Sequence, residues 1–281
     1  MYTFNCKGRF LCWDQPIVMG ILNITPDSFY PGSRIKTGAE VLRVAEKMMK
    51  EGAVILDLGG MSSRPDAPEI SVDEELSRVI PAIEDVFAHF PEAFISIDSY
   101  RARVVEDALL AGACMINDIS GVQDLRIPDL AARYAVPYIC MHMRGTPQTM
   151  QSLTGYDDIT REVLDFFIRQ KAVCRQHGVR DLMIDPGFGF AKKPAGNFQL
   201  LKQLSVLKML DLPVLAGLSR KSTIYRTLGI TPEESLNGTT VMNTLALQNG
   251  ASVLRVHDVK EAVETIRLCM NYEQAEPQIN E

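Results

Sequence analysis

Long hydrophobic runs are missing from this sequence. No apolar stretch in its 281 residues approaches the roughly 18 that span a bilayer. Residues 1–10 carry polar side chains and no hydrophobic signal core, so export is not indicated. Basic blocks are missing too. With a net charge of −6, bulk binding to nucleic acid or to an anionic membrane surface is not expected, and an anionic ligand must be held by a local group of Lys and Arg. Cysteine is sparse. Cys6, Cys12, Cys114, Cys140, Cys174 and Cys269 form no C-x-x-C pair, and none has a histidine at zinc-site spacing. A reducing cytoplasmic compartment fits this usage, with Cys114 and Cys140 read as small core residues. No Pro/Ser-rich linker or break in composition divides the chain, so one domain over 1–281 is expected.

What is present is alternation. With 46% hydrophobic and 23% charged residues, the chain has material for a sizeable core. Strand-like apolar runs lie at 17–23, 54–60, 94–99, 115–120, 137–143, 182–188, 213–219 and 252–257. Their starts are about 34 residues apart, the length of one strand–helix–strand step. Stretches with a helical apolar period fall at 39–50, 73–90, 100–111, 127–134, 157–177, 197–210, 232–249 and 259–272. Before them, 2–4 and 10–13 read as a hairpin around Lys7-Gly8, within residues 1–15. Runs this apolar have no wet face and indicate a parallel sheet covered by helices. Eight pairs in a chain of this length predict an α/β fold, a (β/α)8 TIM barrel with a short N-terminal β-hairpin. A doubly wound open sheet is the second architecture.

The strand ends carry the chemistry. At 182–192 an apolar run ends in Asp185-Pro186-Gly187, which puts one carboxylate at the last extended position; Phe188 and Phe190 follow as apolar groups in a loop. The other ends supply Asn23, Asp57, Asp98, Asn117 with Asp118, His142, Ser219-Arg220-Lys221-Ser222 and Arg255-Val256-His257. Two longer polar loops, 24–37 and 61–68, follow the first two strands on the same side, the face where barrel enzymes place their sites. Asp57 reads as satisfying the backbone or a neighbouring loop, and His142 as a core histidine. Asn117 is favoured over Asp118 as the inward group by strand alternation. Arg and Lys at the ends of strands 7 and 8, with Arg64 from the second loop, suit an anion. The acceptors Asp98, Asn117 and Asp185 suit an N–H-rich edge. Together they point to a flat heterocycle carrying a phosphate or pyrophosphate.

These strand ends resemble one family. M-G-I-L-N-I-T-P-D-S-F at 19–29, S-S-R-P at 62–65, I-D-S at 97–99, I-N-D-I-S at 116–120, M-H-M at 141–143, D-P-G-F-G-F-A-K at 185–192, S-R-K-S at 219–222 and R-V-H-D at 255–258 are similar, in order, to the motifs of the dihydropteroate synthases. The resemblance covers residues 17–261. It implies a transferase of folate biosynthesis that joins p-aminobenzoate to 6-hydroxymethyl-7,8-dihydropterin pyrophosphate, uses Mg²⁺, forms a homodimer and is inhibited by sulfonamides. By the same resemblance Asp98, Asn117, Asp185 and Lys221 take the pterin, with Met141 on the ring. Asn23, Arg255 and His257 take the pyrophosphate, with Asn23 at Mg²⁺. Phe29, Ser63, Arg64, Pro65, Lys221 and Ser222 shape the p-aminobenzoate site, with Phe190 also a substrate contact. The groups expected to carry the chemistry are Asp98, Asp185, Lys221, Arg255 and His257.

Three positions depart from the family pattern. Pro31 lies where many relatives carry a nearby Asp (Asp27 remains close in sequence), Met61 stands for a common Glu, and Ser63 for a common Thr that keeps the hydroxyl. Other readings stay open. They are a pterin-binding methyltransferase barrel, a pterin-binding relative without turnover, and a lyase using Lys221 as a Schiff-base amine.

Overall fold

Ten short extended segments and nine helices make up the described part of the chain, residues 1–24, 38–62 and 69–275 of a computed structural model. The hairpin pairs β1 (Tyr2–Cys6) with β2 (Arg9–Trp13), two residues longer in its first strand than predicted. Eight parallel strands follow: β3 (Ile17–Asn23), β4 (Ile55–Gly59), β5 (Phe94–Asp98), β6 (Met115–Asp118), β7 (Tyr138–Met141), β8 (Leu182–Asp185), β9 (Leu215–Ala216) and β10 (Val253–Val256). Neighbours in sequence are neighbours in space. β10 pairs back onto β3, and a bridge from Ile184 to Val214 joins β8 to β9, so the sheet closes and the open-sheet alternative is ruled out.

Helices cover the outside: α1 (Gly38–Glu51), α2 (Val72–His89), α3 (Ala102–Ala111), α4 (Arg126–Tyr134), α5 (Ile159–Gln176), α6 (Pro194–Lys202), α7 (Ser222–Leu228), α8 (Leu236–Gln248) and α9 (Val259–Glu273). Their starts are set by local chemistry. Ser71 accepts from the Glu74 N–H ahead of α2, and Asp158 accepts from the N–H groups of Thr160 and Arg161 ahead of α5. The predicted helix 197–210 is two elements, α6 and a 3₁₀ segment at Leu204–Leu210. Its buried Leu204, Leu207 and Leu210 recur every three residues, which a 3.6 period tolerates but a 3₁₀ helix matches. Most predicted strands run past the observed ends, because apolar sequence continues into the loops after the ladder stops. The short helix α7 escaped prediction.

Strand alternation sorts the barrel residues into two sets. Val18, Leu56, Ile95, Ile116, Cys140, Ile184, Ala216 and Leu254 face the helices in the main core. Met19, Ile55, Met115, Ile139, Met183, Leu215 and Val253 face inward and form the apolar floor. Two residues further along, the inward positions become Asp57, Asn117, Met141, Asp185, Gly217 and Arg255. The interior is therefore oily at the N-terminal end and polar at the C-terminal end.

The hairpin closes the oily end. Phe4, Cys6, Leu11 and Trp13 join the floor cluster, with the Phe4 and Trp13 rings edge to face at 5.0 Å. Without it, the floor residues would meet water. We expect Trp13→Ala to lower stability by about 3–5 kcal/mol in urea unfolding while leaving the far-ultraviolet spectrum unchanged; a loss below about 1 kcal/mol would show that the hairpin is not part of the core.

Candidate active site

At the C-terminal end of the barrel a cavity of about 470 Å³ opens, bordered by Asn23, Asp98, Phe190, Lys221, Arg255 and His257. Beneath its rim, one carboxylate oxygen organises two neighbours. Asp57 Oδ2 accepts from Arg255 Nε at 2.6 Å and from Asn117 Nδ2 at 3.0 Å. The other side of the guanidinium donates from Nη2 to Asp98 Oδ2 at 2.5 Å. Four strands, β4, β5, β6 and β10, thus meet through one hydrogen-bonded chain. This corrects one sequence reading: Asp57 bonds to side chains of the site and not to backbone or a loop. Arg255, assigned to the anion, is also paired with the acids Asp57 and Asp98, as a guanidinium largely enclosed in the barrel must be.

Asn117 is the inward member of its pair, as expected. Asp118 turns toward the helices, accepting from the Tyr138 hydroxyl at 2.5 Å and from the Ser120 and Val122 N–H groups.

Asp185 is buried at the end of β8, where the Gly187 N–H donates to its Oδ1 at 2.8 Å. Gly187 has φ +67°, and a Cβ there would stand 2.0 Å from the His142 carbonyl oxygen, so glycine is required. Lys221 Nζ donates to the Phe188 carbonyl at 2.6 Å and lies 4.6 Å from the Phe190 ring centre. At Gly217 a Cβ would approach Lys221 Nζ to 3.6 Å and Asp185 Oδ2 to 3.8 Å; glycine keeps the space between them open. Both loop phenylalanines border the cavity, Phe190 at its mouth and Phe188 with its side chain buried in the main core.

On the far wall the Ser219 hydroxyl accepts from the His257 N–H at 3.2 Å and lies 3.0 Å from His257 Nδ1. Asn23 ends β3 and Ser222 opens α7 on the same cavity. Met141 lies just below, packed with Ile119, Met143 and Met150. Arg220 borders the cavity with its guanidinium engaged on the wall. Its guanidinium forms a two-point pair with Asp258 and donates to the Pro232 and Glu233 carbonyls, at a residue whose φ is +53°. Asp27, Phe29, Pro31, Ser63, Arg64 and Pro65 lie outside the described residues.

Burial sets the ionisation of the mouth. It raises the Asp185 pKa, against the pull of Lys221 and the Gly187 N–H. It raises Asp98 to about 7, opposed by Arg255 and reinforced by Asp57. It lowers Lys221 to about 8, opposed by Asp185, and lowers His257 to about 4, helped by Arg255. At neutral pH the site therefore offers an ammonium at Lys221 and a neutral imidazole at His257, with Asp98 near the midpoint of its titration. Removing Asp57 strips Arg255 and Asn117 of their shared acceptor. We expect Asp57→Ala to cost about 3–5 kcal/mol of stability in denaturant unfolding; an unchanged midpoint would mean that Arg255 has no need of this partner.

Comparison with known proteins agrees with this geometry. Residues 19–257 match the family described as "Pterin binding enzyme". The chain is 42% identical to the dihydropteroate synthase of Escherichia coli K12 over 264 residues, 93% of each chain. In fold it is similar to the Yersinia pestis dihydropteroate synthase solved as a sulfonamide drug complex, with a TM-score of 0.93 at 38% identity, covering 98% of this chain and 100% of that one. It is also similar to the Xanthomonas albilineans enzyme solved with 7,8-dihydropteroate, with a TM-score of 0.86 at 38% identity and the same coverage. With matching motifs at every strand end, a closed barrel and this extent of identity, the chain belongs to the dihydropteroate synthase family of pterin-binding enzymes.

Proposed function

We propose that the barrel mouth condenses 6-hydroxymethyl-7,8-dihydropterin pyrophosphate with p-aminobenzoate to give 7,8-dihydropteroate and pyrophosphate, a transferase step of folate synthesis. The observation that carries this reading is the grouping of buried Asn117 and Asp185 with half-buried Asp98 and Lys221 in one mouth, in a chain whose relatives bear that name. Asp185 and Asp98 accept the N–H groups along the amidine-like edge of the pterin, and Lys221 donates to a ring acceptor between them. Arg255, locked between Asp57 and Asp98, fixes the orientation of that acid pair and leaves part of its guanidinium edge for the departing diphosphate. Neutral His257 donates a ring N–H to the same anion, so negative charge growing on the leaving group meets fixed donors. The C–O bond to pyrophosphate breaks, and the positive charge left on the methylene is delocalised into the ring. The aniline nitrogen then forms the new C–N bond and gives up a proton. Ser222 and Lys221 face p-aminobenzoate, and Phe29, Ser63, Arg64 and Pro65 are assigned to the same substrate by the family motifs alone. Sulfonamides, the drug class of the Yersinia pestis complex, would compete there.

Mg²⁺ fits the donors present. Asn23 offers one hard carboxamide oxygen at the mouth, and Mg²⁺ keeps several waters and leans on substrate phosphates, so it needs few oxygens from the protein. Among the described residues no group of three or more His, Cys, Asp or Glu forms a self-sufficient metal site. When bound beside Asn23, the ion would neutralise diphosphate charge. A homodimer is part of the same reading. Val241, Leu245, Leu268 and Tyr272 of α8 and α9 are exposed apolar groups on late helices. Cytoplasmic residence accords with the free cysteines and with the absence, among the described residues, of a helix apolar and long enough to cross a membrane.

Pyrophosphate release from the pterin substrate should require p-aminobenzoate and Mg²⁺, and Asp185→Ala should abolish pterin binding by calorimetry. Release without p-aminobenzoate, or an unaltered pterin Kd, would refute the assignment. The pH profile follows from the shifted groups. Asp98 takes up its proton as pH falls through about 7, and Lys221 loses its own as pH rises through about 8. Pterin affinity should therefore peak between the two and drop about tenfold per unit on the acid side; Asp98→Asn should remove the acid limb, and an acid limb that survives it belongs to another group.

A further inference from the structure

The chemistry above leaves one buried lysine unused. Lys192 follows the turn after β8 and is 6% exposed, yet among the described residues its Nζ meets no carboxylate. Its Nζ lies 2.9 Å from His142 Nδ1 and donates to the carbonyls of Gly187 at 2.9 Å, Phe190 at 3.0 Å and His142 at 3.3 Å. An ammonium has three N–H groups, and here each has an acceptor, the fourth partner sharing one. Burial and the Lys192 charge keep His142 neutral, its pKa pushed down to about 2, so Nδ1 is free to accept. Desolvating a lysine is costly, and burial pushes the Lys192 pKa well below the usual lysine range, with Asp185 pulling it back up. A site that takes on this cost holds the amine for something.

The partners say what it is. Gly187 is gripped at both ends: its carbonyl accepts from Lys192, and its N–H donates to Asp185 Oδ1. The His142 N–H donates to the Asp185 carbonyl at 2.8 Å, so β7 and β8 meet at the residue that bears the carboxylate. Between Gly187 and Phe190, the Phe188 carbonyl receives Lys221 Nζ, and the Phe190 ring lies below that same ammonium. On its outer side the turn is held by Asn197, which accepts from the Gly189 N–H at 2.8 Å and donates to the Lys192 carbonyl at 3.3 Å. We infer that Lys192 is a positioning residue for pterin: its ammonium ties the end of β7 to the Gly187–Phe190 turn and thereby sets both Asp185 and Lys221. This rests on the assignment of the mouth to a pterin.

The test compares Lys192→Met, His142→Leu and a control, Ile83→Val, that trims the core on α2 away from the mouth. The readouts are the calorimetric Kd for 6-hydroxymethylpterin and steady-state KM for p-aminobenzoate, all well below the unfolding midpoints. Lys192→Met should raise the pterin Kd tenfold or more while the p-aminobenzoate KM moves less than about threefold. His142→Leu removes one acceptor of the four and should raise the Kd about threefold to tenfold. Ile83→Val should leave both constants unchanged despite its stability loss. A folded Lys192→Met with wild-type pterin affinity overturns the inference, as does a Kd change matched by the control. If Lys192→Met does not fold, His142→Leu decides, and wild-type affinity in it is the overturning result. A wild-type protein that binds no pterin would instead refute the function, and this inference with it.

Discussion

A guanidinium inside a barrel is the constraint on which the mouth depends. Arg255 is contributed by β10 and its partners Asp57 and Asp98 by β4 and β5, on the neighbouring wall. None of the three is tolerable alone in an apolar interior, and each is acceptable once the others are placed. The charges therefore require the closed sheet, since only closure of β10 onto β3 brings the last strand beside the early ones. Asn117 adds a fourth strand by donating to the same oxygen of Asp57. The result is a pre-formed polar base whose orientation does not wait for ligand, the kind of fixed environment that stabilises developing charge at little reorganisation cost.

The oily half of the interior makes this arrangement sustainable. Parallel strands alternate without exception between helix-facing and inward residues, so the same strand supplies Ile55 to the floor and Asp57 to the site. The hairpin seals the floor with Phe4, Leu11 and Trp13, and the nonpolar burial there offsets polar burial above. Stability and chemistry are divided along the barrel axis. This is why a substitution such as one at Trp13 belongs to a different physical category from one at Asp57, although both residues are buried.

The turn after β8 solves a second problem, that of holding an acid and a lysine close without letting them simply neutralise each other. Lys221 spends one hydrogen bond on the Phe188 carbonyl and leans on the Phe190 ring, while Asp185 is met by the Gly187 N–H. Gly217 keeps the space between the two groups open. Backbone, not a direct ion pair, fixes both. The ligand-facing atoms of the acid and the ammonium are thereby left available to a heterocycle that carries donors and acceptors on adjacent edges.

The eight strands, most of the helices and the list of polar strand ends are legible in the sequence, because hydrophobic period and apolar run length are local properties and the charges interrupting them stand out. Asp98, Asn117, Asp185, Lys221, Arg255 and His257 are identifiable in that way, and their order matches the family motifs. Pairing was not legible. Asp57 passes for a structural carboxylate, and Arg220 for a member of the anion group, until the fold shows one on Arg255 and the other on Asp258. Helix α7 and the 3₁₀ segment at Leu204–Leu210 were hidden for a similar reason, since short elements are decided by what they pack against. The sequence determines which groups reach the rim; which of them touch depends on register and closure across residues nearly 200 positions apart, such as Arg255 and Asp57, and only the tertiary structure sets that distance.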